Sequence, residues 1–181
     1  MTHSQDIHWT ADFRKVYDAA VAKYRAGKRG ADTFFSADQM RVLDAIGYSA
    51  QELYDFAEDA VNYGEPSYET AEAVAAVRRE YFLQVQNGRR SRKVVPMEAL
   101  PPKSEAVDGI GWLPRLVPKA MAKLQGEMNP DLMYGCGGDR KFMKEHGLKL
   151  ENFLRKAWEC DGDTAALVAY VQEHSPALAK S

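Results

Sequence analysis

The chain has 181 residues, 45% of them apolar and 28% charged, with a formal net charge of −2 and a sequence pI of about 6.1. That length suits one domain, or a domain with a small companion, and this composition can bury a core. The slightly acidic balance gives no general attraction to nucleic acid or to an anionic membrane surface.

The first helix is expected from about Ala11 to Ala26. Thr10 stands as its N-cap, Phe13, Val16, Tyr17, Ala20, Val21 and Tyr24 recur at helical spacing, and Gly27 is the stop. Two capping boxes follow. Ser36 with Gln39 opens one helix, with Phe35 and Met40 as its staple, and Gly47 ends it. Ser49 with Glu52 opens the next, with Tyr48 and Leu53 as staple, a stripe through Phe56, Ala57, Ala60 and Val61, and an end near Gly64. A fourth helix starts near Ser67 and stops at Asn87-Gly88, with Val74, Val77, Tyr81 and Val85 inward.

Residues 89–109 carry Pro96, Pro101 and Pro102, which argue against a helix. They are expected to be a linker that wraps the domain or joins two halves. Val94 and Val95 suit a short extended piece but do not make a sheet. A fifth helix begins near Trp112, where Pro114 is tolerated in the first turn. Pro118 either kinks that helix or marks its regular start. Its apolar stripe is Leu113, Leu116, Val117, Ala120 and Leu124, and Gly126 ends it. A sixth helix starts at Asp139 as N-cap and stops at Gly147, and a seventh spans about Leu150 to Glu159. Asp163 caps the last, which holds Leu167, Val168, Tyr170 and Val171, before a frayed tail from Pro176.

One internal echo stands out. Val42 to Tyr48 followed by Leu53 matches Phe142 to Leu148 followed by Phe153. Both describe a short helix, a glycine stop, an apolar staple and a second helix. A duplicated helical hairpin would produce this pattern, and so would any two helix–glycine–helix corners.

The most unusual residues fall together in residues 111–147. GWLPR at residues 111–115, KAxAKLxGE at residues 119–127 and YGCGGDRKF at residues 134–142 resemble an uncharacterised bacterial family, a domain of unknown function. QELYDFAED at residues 51–59 and AAVRREYF at residues 75–82 are similar to longer members. The resemblance spans about half of the chain. It implies a bacterial protein and brings no activity, cofactor or site residue.

Three constellations have chemical potential. The first is the turn Gly135-Cys136-Gly137-Gly138 leading into Asp139 and Arg140, with Tyr134 before it. Converging glycine N–H groups at a helix start can cradle phosphate or carboxylate. The turn matches neither GxxxxGK[ST] nor GxGxxG, and a plain tight turn is the simpler reading. Arg115, Lys119 and Lys123 lie at i, i+4 and i+8, a cationic stripe that either faces this turn, with Arg115 gripping an anion in bidentate fashion, or is a solvated face. The second is Cys136 as a thiolate nucleophile with His146 as base, although no protease, phosphatase or redox signature accompanies it. The third is the basic cluster Arg78, Arg79, Arg89, Arg90, Arg92 and Lys93, a nucleic-acid or protein docking patch without a recognisable module.

No metal centre is expected. The histidines at 3, 8, 146 and 174 are scattered, and Asp161-Gly162-Asp163 does not continue into a calcium loop, since Ala166 and Gln172 replace the required glycine and glutamate. Cys136 and Cys160 are too few for a disulfide framework, which points to a reducing compartment. The opening MTHSQDIHWTADF lacks a basic stretch followed by an apolar one, so no secretory leader is expected, and no apolar run approaches the roughly 20 residues of a membrane helix.

The expectation is therefore an all-α protein, a compact bundle of six to eight short helices. It is read as one domain or as two halves, residues 1–88 and residues 110–181, joined by residues 89–109. The leading functional expectation is a cytoplasmic, non-enzymatic module that binds a small anionic ligand through Arg115, Lys119, Tyr134, Cys136, Gly137, Gly138, Asp139 and Arg140, without cofactor, metal or membrane. Nucleic acid is disfavoured by the charge balance. A protein partner or a second copy is the remaining class of partner. An enzyme of Cys136 thiol chemistry, and an adaptor using residues 78–93, are the alternatives.

Overall fold

The computed structural model describes residues 8–179, so His3 and most of the segment read for a leader lie outside the described residues. Among the described residues there are eight α-helices and a single two-stranded hairpin, which is the all-α class expected. No described helix is long and apolar enough to cross a membrane. The chain divides into two compact units, Met1–Gly88 and Arg89–Ser181.

The first unit holds α1 (Trp9–Arg25), α2 (Ala37–Ala45), α3 (Ala50–Tyr63) and α4 (Tyr68–Gln84). Helix α1 starts before the expected cap. Thr10 is its second residue, and His8 precedes it with no side-chain cap bond. The extra residues let the Trp9 ring pack on Phe13 one turn later, with centroids 6.1 Å apart, and bring Arg79 over the Trp9 ring. Both capping boxes form as expected, at Ser36/Gln39 and Ser49/Glu52. Ser67 caps α4 by accepting from the Thr70 N–H.

Helix α1 packs on α2, α3 and α4 through Phe13, Val16, Tyr17, Ala20 and Tyr24. Each large apolar side chain buried this way contributes about 1.5–3 kcal/mol. Phe34 meets Tyr54 edge-on, with centroids 4.9 Å apart, in a cluster with Ala20, Tyr24, Ala31 and Ala57. Arg78 departs from the sequence reading. It is 1% exposed, donates from Nη1 to Gln86 Oε1 at 2.8 Å and lies over the Phe82 ring. A core residue cannot belong to a surface docking patch, so the basic cluster loses the arginine that headed it.

The second unit holds a hairpin, β1 (Ala106–Val107) and β2 (Ile110–Gly111), then α5 (Leu113–Gln125), α6 (Gly137–His146), α7 (Leu150–Glu159) and α8 (Thr164–His174). The strands are antiparallel, with Ala106 opposite Gly111 and Val107 opposite Ile110. Asp108 and Gly109 turn the chain with φ of 49° and 76°, the two left-handed residues of a type I′ turn. The proline-containing residues 89–109 lie within this unit. The Val95 N–H donates to the Glu127 carbonyl at 2.9 Å, the Asn129 amide donates to the Val95 carbonyl, and Ser91 bonds Glu127. Helix α5 starts at Leu113 and runs through Pro118, whose missing N–H forfeits one early bond of the helix.

The echo between the two corners extends to their hydrogen bonds. Tyr48 N–H donates to the Leu43 carbonyl and Gly47 N–H to that of Asp44. Leu148 N–H donates to the Met143 carbonyl and Gly147 N–H to that of Lys144. Both are Schellman ends with glycine at φ 75° and 65°. The same spacing carries over to the long helices. The buried stripe Phe13, Val16, Tyr17, Ala20 and Tyr24 of α1 is matched, position by position, by Leu113, Leu116, Val117, Ala120 and Leu124 of α5. Each unit thus packs its first long helix on the helix that follows a glycine corner, α1 on α3 and α5 on α7.

Gly47 and Gly64 separate two costs. Both sit at positive φ, but a Cβ on Gly47 would lie 2.8 Å from Arg78 Nη2 and Phe82 Cγ, whereas one on Gly64 would meet nothing within 4 Å. Alanine at either position is expected to cost about 1–2 kcal/mol for the left-handed backbone. Gly47→Ala should lose roughly a further 1–3 kcal/mol to overpacking. Urea unfolding of the two variants measures this, and equal losses would contradict the packed corner.

Candidate functional site

The site is built where α5 meets the start of α6. Helix α6 begins at Gly137, two residues before its expected cap, so Cys136 is the N-cap and Asp139 the third helical residue. Asp139 is fully buried and turns its carboxylate back toward the segment that precedes the helix. The Gly135 N–H donates to Oδ2 at 2.8 Å, and the Trp112 indole N–H donates to Oδ1 at 2.8 Å. Lys119, 2% exposed, donates from Nζ to both carboxylate oxygens, at 2.8 and 2.7 Å.

This arrangement corrects two sequence readings. The glycine turn does hold an anion, but the anion is the chain's own Asp139. The cationic stripe of α5 is neither a solvated face nor an open anion grip. Lys119 and Lys123 are each 2% exposed, and Arg115 donates to the Pro101 carbonyl at 2.8 Å. An ion pair this deep offsets its desolvation only when every lone pair and proton is satisfied, and here the carboxylate collects four donor contacts.

The neighbours close the turn. Arg140 donates from Nη1 to the Gly135 carbonyl at 2.7 Å. The Tyr134 hydroxyl donates to the Leu150 carbonyl at 2.8 Å, tying the turn to the start of α7, and burial raises its pKa well above the usual phenol value. Trp112 holds a left-handed backbone, φ 69°, immediately before α5. A bulky residue takes that conformation only where its surroundings demand it, at a cost of about 1–3 kcal/mol. The demand comes from its ring, which is bonded to Asp139 and packed on Gly138. A Cβ on Gly138 would lie 2.3 Å from the Trp112 ring. Gly138 therefore makes room for the indole, and a larger residue there would disturb packing before it disturbed any ligand.

Cys136 is partly exposed, and its Sγ lies 3.2 Å from Lys119 Nζ. His146 is not its partner. Cys136 precedes the first residue of α6 and His146 is the last, ten positions apart and about 15 Å along the axis at 1.5 Å per residue. His146 Nδ1 instead pairs with Ser175 Oγ at 2.7 Å, and its ring packs against Phe142. Burial lowers its pKa, so the neutral form is favoured.

His146 belongs to a cavity of about 430 Å³ between the hairpin and α6. It is lined by Gly109, Ile110, Gly111, Trp112, Gly138, Lys141, Phe142, Glu145 and His146. The α6 contributors stand at i, i+3, i+4, i+7 and i+8, one face of the helix. Of the residues singled out in sequence, only Gly138 and His146 line it. Trp112, Lys141 and Phe142 were missed, and the signal that would have found them is the Asp108-Gly109 turn, which marks a hairpin beside the helix. Among the described residues, no group of three or more His, Cys, Asp or Glu side chains is placed to hold a metal. Comparison with protein-family models, with curated proteins and with solved structures found no match.

The depressed His146 pKa has a consequence for stability. The unfolded chain, with histidine near its usual value of about 6.5, takes up the proton at a higher pH than the folded chain. Stability attributable to His146 is therefore full above about pH 6.5 and is lost as pH falls toward the folded value. His146→Gln is expected to flatten that part of the profile, read as urea midpoints across mildly acidic pH. An unchanged slope would contradict the burial of a neutral imidazole.

Proposed function

We propose that the second unit binds a small anionic ligand with a flat apolar body, in the cavity between the hairpin and α6. The observation that carries this reading is the lining itself. Trp112, Phe142 and Ile110 offer apolar and aromatic wall, Lys141 and its partner Glu145 line the same face of α6, and His146 supplies a neutral ring held by Ser175. A volume of about 430 Å³ lies in the range typical of small-molecule sites.

The anion-binding expectation is retained, but its place moves. At the glycine turn an incoming phosphate would face the Asp139 carboxylate and find Lys119 already engaged. In the cavity the available cation is Lys141, whose partner Glu145 is 3.8 Å away in an exposed pair of little strength. An anion of the ligand competes with Glu145 for that ammonium at small cost. Cys136 catalysis with His146 as base has no support in this geometry, since the two stand at opposite ends of α6.

A thermal-shift screen with phosphates, nucleotides, aromatic carboxylates and sugar phosphates tests the proposal. A true ligand at about 100 times its Kd should stabilise by roughly 2.7 kcal/mol. Lys141→Glu is expected to weaken a hit at least about tenfold, or about 1.4 kcal/mol, with helical content unchanged. A screen without hits, or a hit of equal affinity in Lys141→Glu, would overturn it.

A further inference from the structure

We propose that Cys136 is an oxidation site whose sulfenic acid is captured by the Lys119 amine, joining α5 to the start of α6 through a reversible sulfur–nitrogen bond. Three observations meet here. Cys136 is a free cysteine and only partly buried, which leaves a small oxidant a route to it. A primary amine stands 3.2 Å from it, held on a helix and 2% exposed. A carboxylate stands 2.7 Å from that amine and can take its proton.

The first unit shows what this position does when only structure is required. There the N-cap of the short helix is Ser36, whose hydroxyl accepts from the Gln39 N–H, and Gln39 in turn accepts from Lys23 Nζ at 3.1 Å. In the second unit the corresponding places are held by Cys136, Asp139 and Lys119, one turn earlier on the long helix. The thiol makes no cap hydrogen bond. Exchange of hydroxyl for thiol thus gives up a cap worth about 1 kcal/mol and leaves an oxidisable sulfur against an amine. Cys160 is a built-in control, since among the described residues the hydrogen bonds of its sulfur go to the Ala157 and Asp163 carbonyls, at 3.8 and 3.9 Å, and not to an amine.

The chemistry balances with hydrogen peroxide as oxidant. The Cys136 thiolate attacks one peroxide oxygen; the S–O bond forms, the O–O bond breaks and hydroxide leaves, so sulfur is oxidised and peroxide reduced. Lys119 passes one ammonium proton to Asp139. The free amine then attacks sulfur, forming the S–N bond as the S–O bond breaks; the departing hydroxide takes one proton from the nitrogen and leaves as water, and the proton held by Asp139 neutralises the hydroxide released from peroxide. Two equivalents of a thiol reverse the product, restoring thiol and amine and yielding one disulfide. The product removes the Lys119 charge and replaces an ionic contact between α5 and α6 with a covalent one.

Peptide mapping of the full chain after peroxide treatment is the test. The expected product is one cross-linked species joining the Lys119 and Cys136 peptides, lighter than their sum by two hydrogens and lost on addition of dithiothreitol. Cys136→Ser, which installs the residue of the first unit, should fold normally and give no cross-link. Lys119→Arg keeps a cation and is expected to send Cys136 on to sulfinic and sulfonic acid. Cys136 oxidised in the wild-type chain with Lys119 unmodified would overturn the proposal. So would a Cys136 that stays reduced while Cys160 reacts.

Discussion

The second unit depends on one buried ion pair, Lys119 with Asp139. Two unit charges at 2.7 Å, exposed to 2% and 0%, carry a desolvation penalty of several kcal/mol each, which only good geometry and further hydrogen bonds offset. The remaining acceptor capacity of Asp139 is filled by the Gly135 N–H and the Trp112 indole. From that pairing the rest follows. The turn before α6 is drawn onto the carboxylate, Trp112 is held in a left-handed backbone, and the indole lies over a residue that has no side chain. The indole then becomes a wall of the cavity that α6 and the hairpin complete.

The first unit solves the same problem with neutral chemistry. Its corresponding helix opens with a serine cap and a glutamine that also accepts from a lysine of the long helix, in a place that is only partly buried. That arrangement costs little to desolvate and organises nothing beyond the helix start. With a carboxylate in place of the amide, a buried lysine and a thiol in place of the hydroxyl, the second unit has fixed buried charge and an uncapped thiol at its helix start. The cavity and the contact between Lys119 and Cys136 both lie in this half.

How much was legible in the sequence follows from the range of each interaction. The capping boxes at Ser36 and Ser49 and the glycine stops at Gly47, Gly64 and Gly147 are closed within a few residues, and a local pattern announces them. Thr10 misled because packing of Trp9 on Phe13 lengthened the helix past a good cap. The fate of the α5 lysines was not legible. Positions i, i+4 and i+8 look alike whether the cations meet water or a carboxylate twenty residues away. Arg78 was hidden for the same reason, since its partners Gln86 and Phe82 become visible only once α4 is folded against Gly47. Cys136 and His146 look like candidate partners in one motif, and the rise of a helix alone is enough to part them.

The most direct measurement is a double-mutant cycle on the pair, with Lys119→Met, Asp139→Asn and both together followed by urea unfolding. If the buried pair organises the unit, each single change strands a buried partner and costs about 3–5 kcal/mol, while the double variant loses much less than the sum. If the two losses simply add, or each is below about 1 kcal/mol, the pair is incidental to the fold and something else holds α5 to α6.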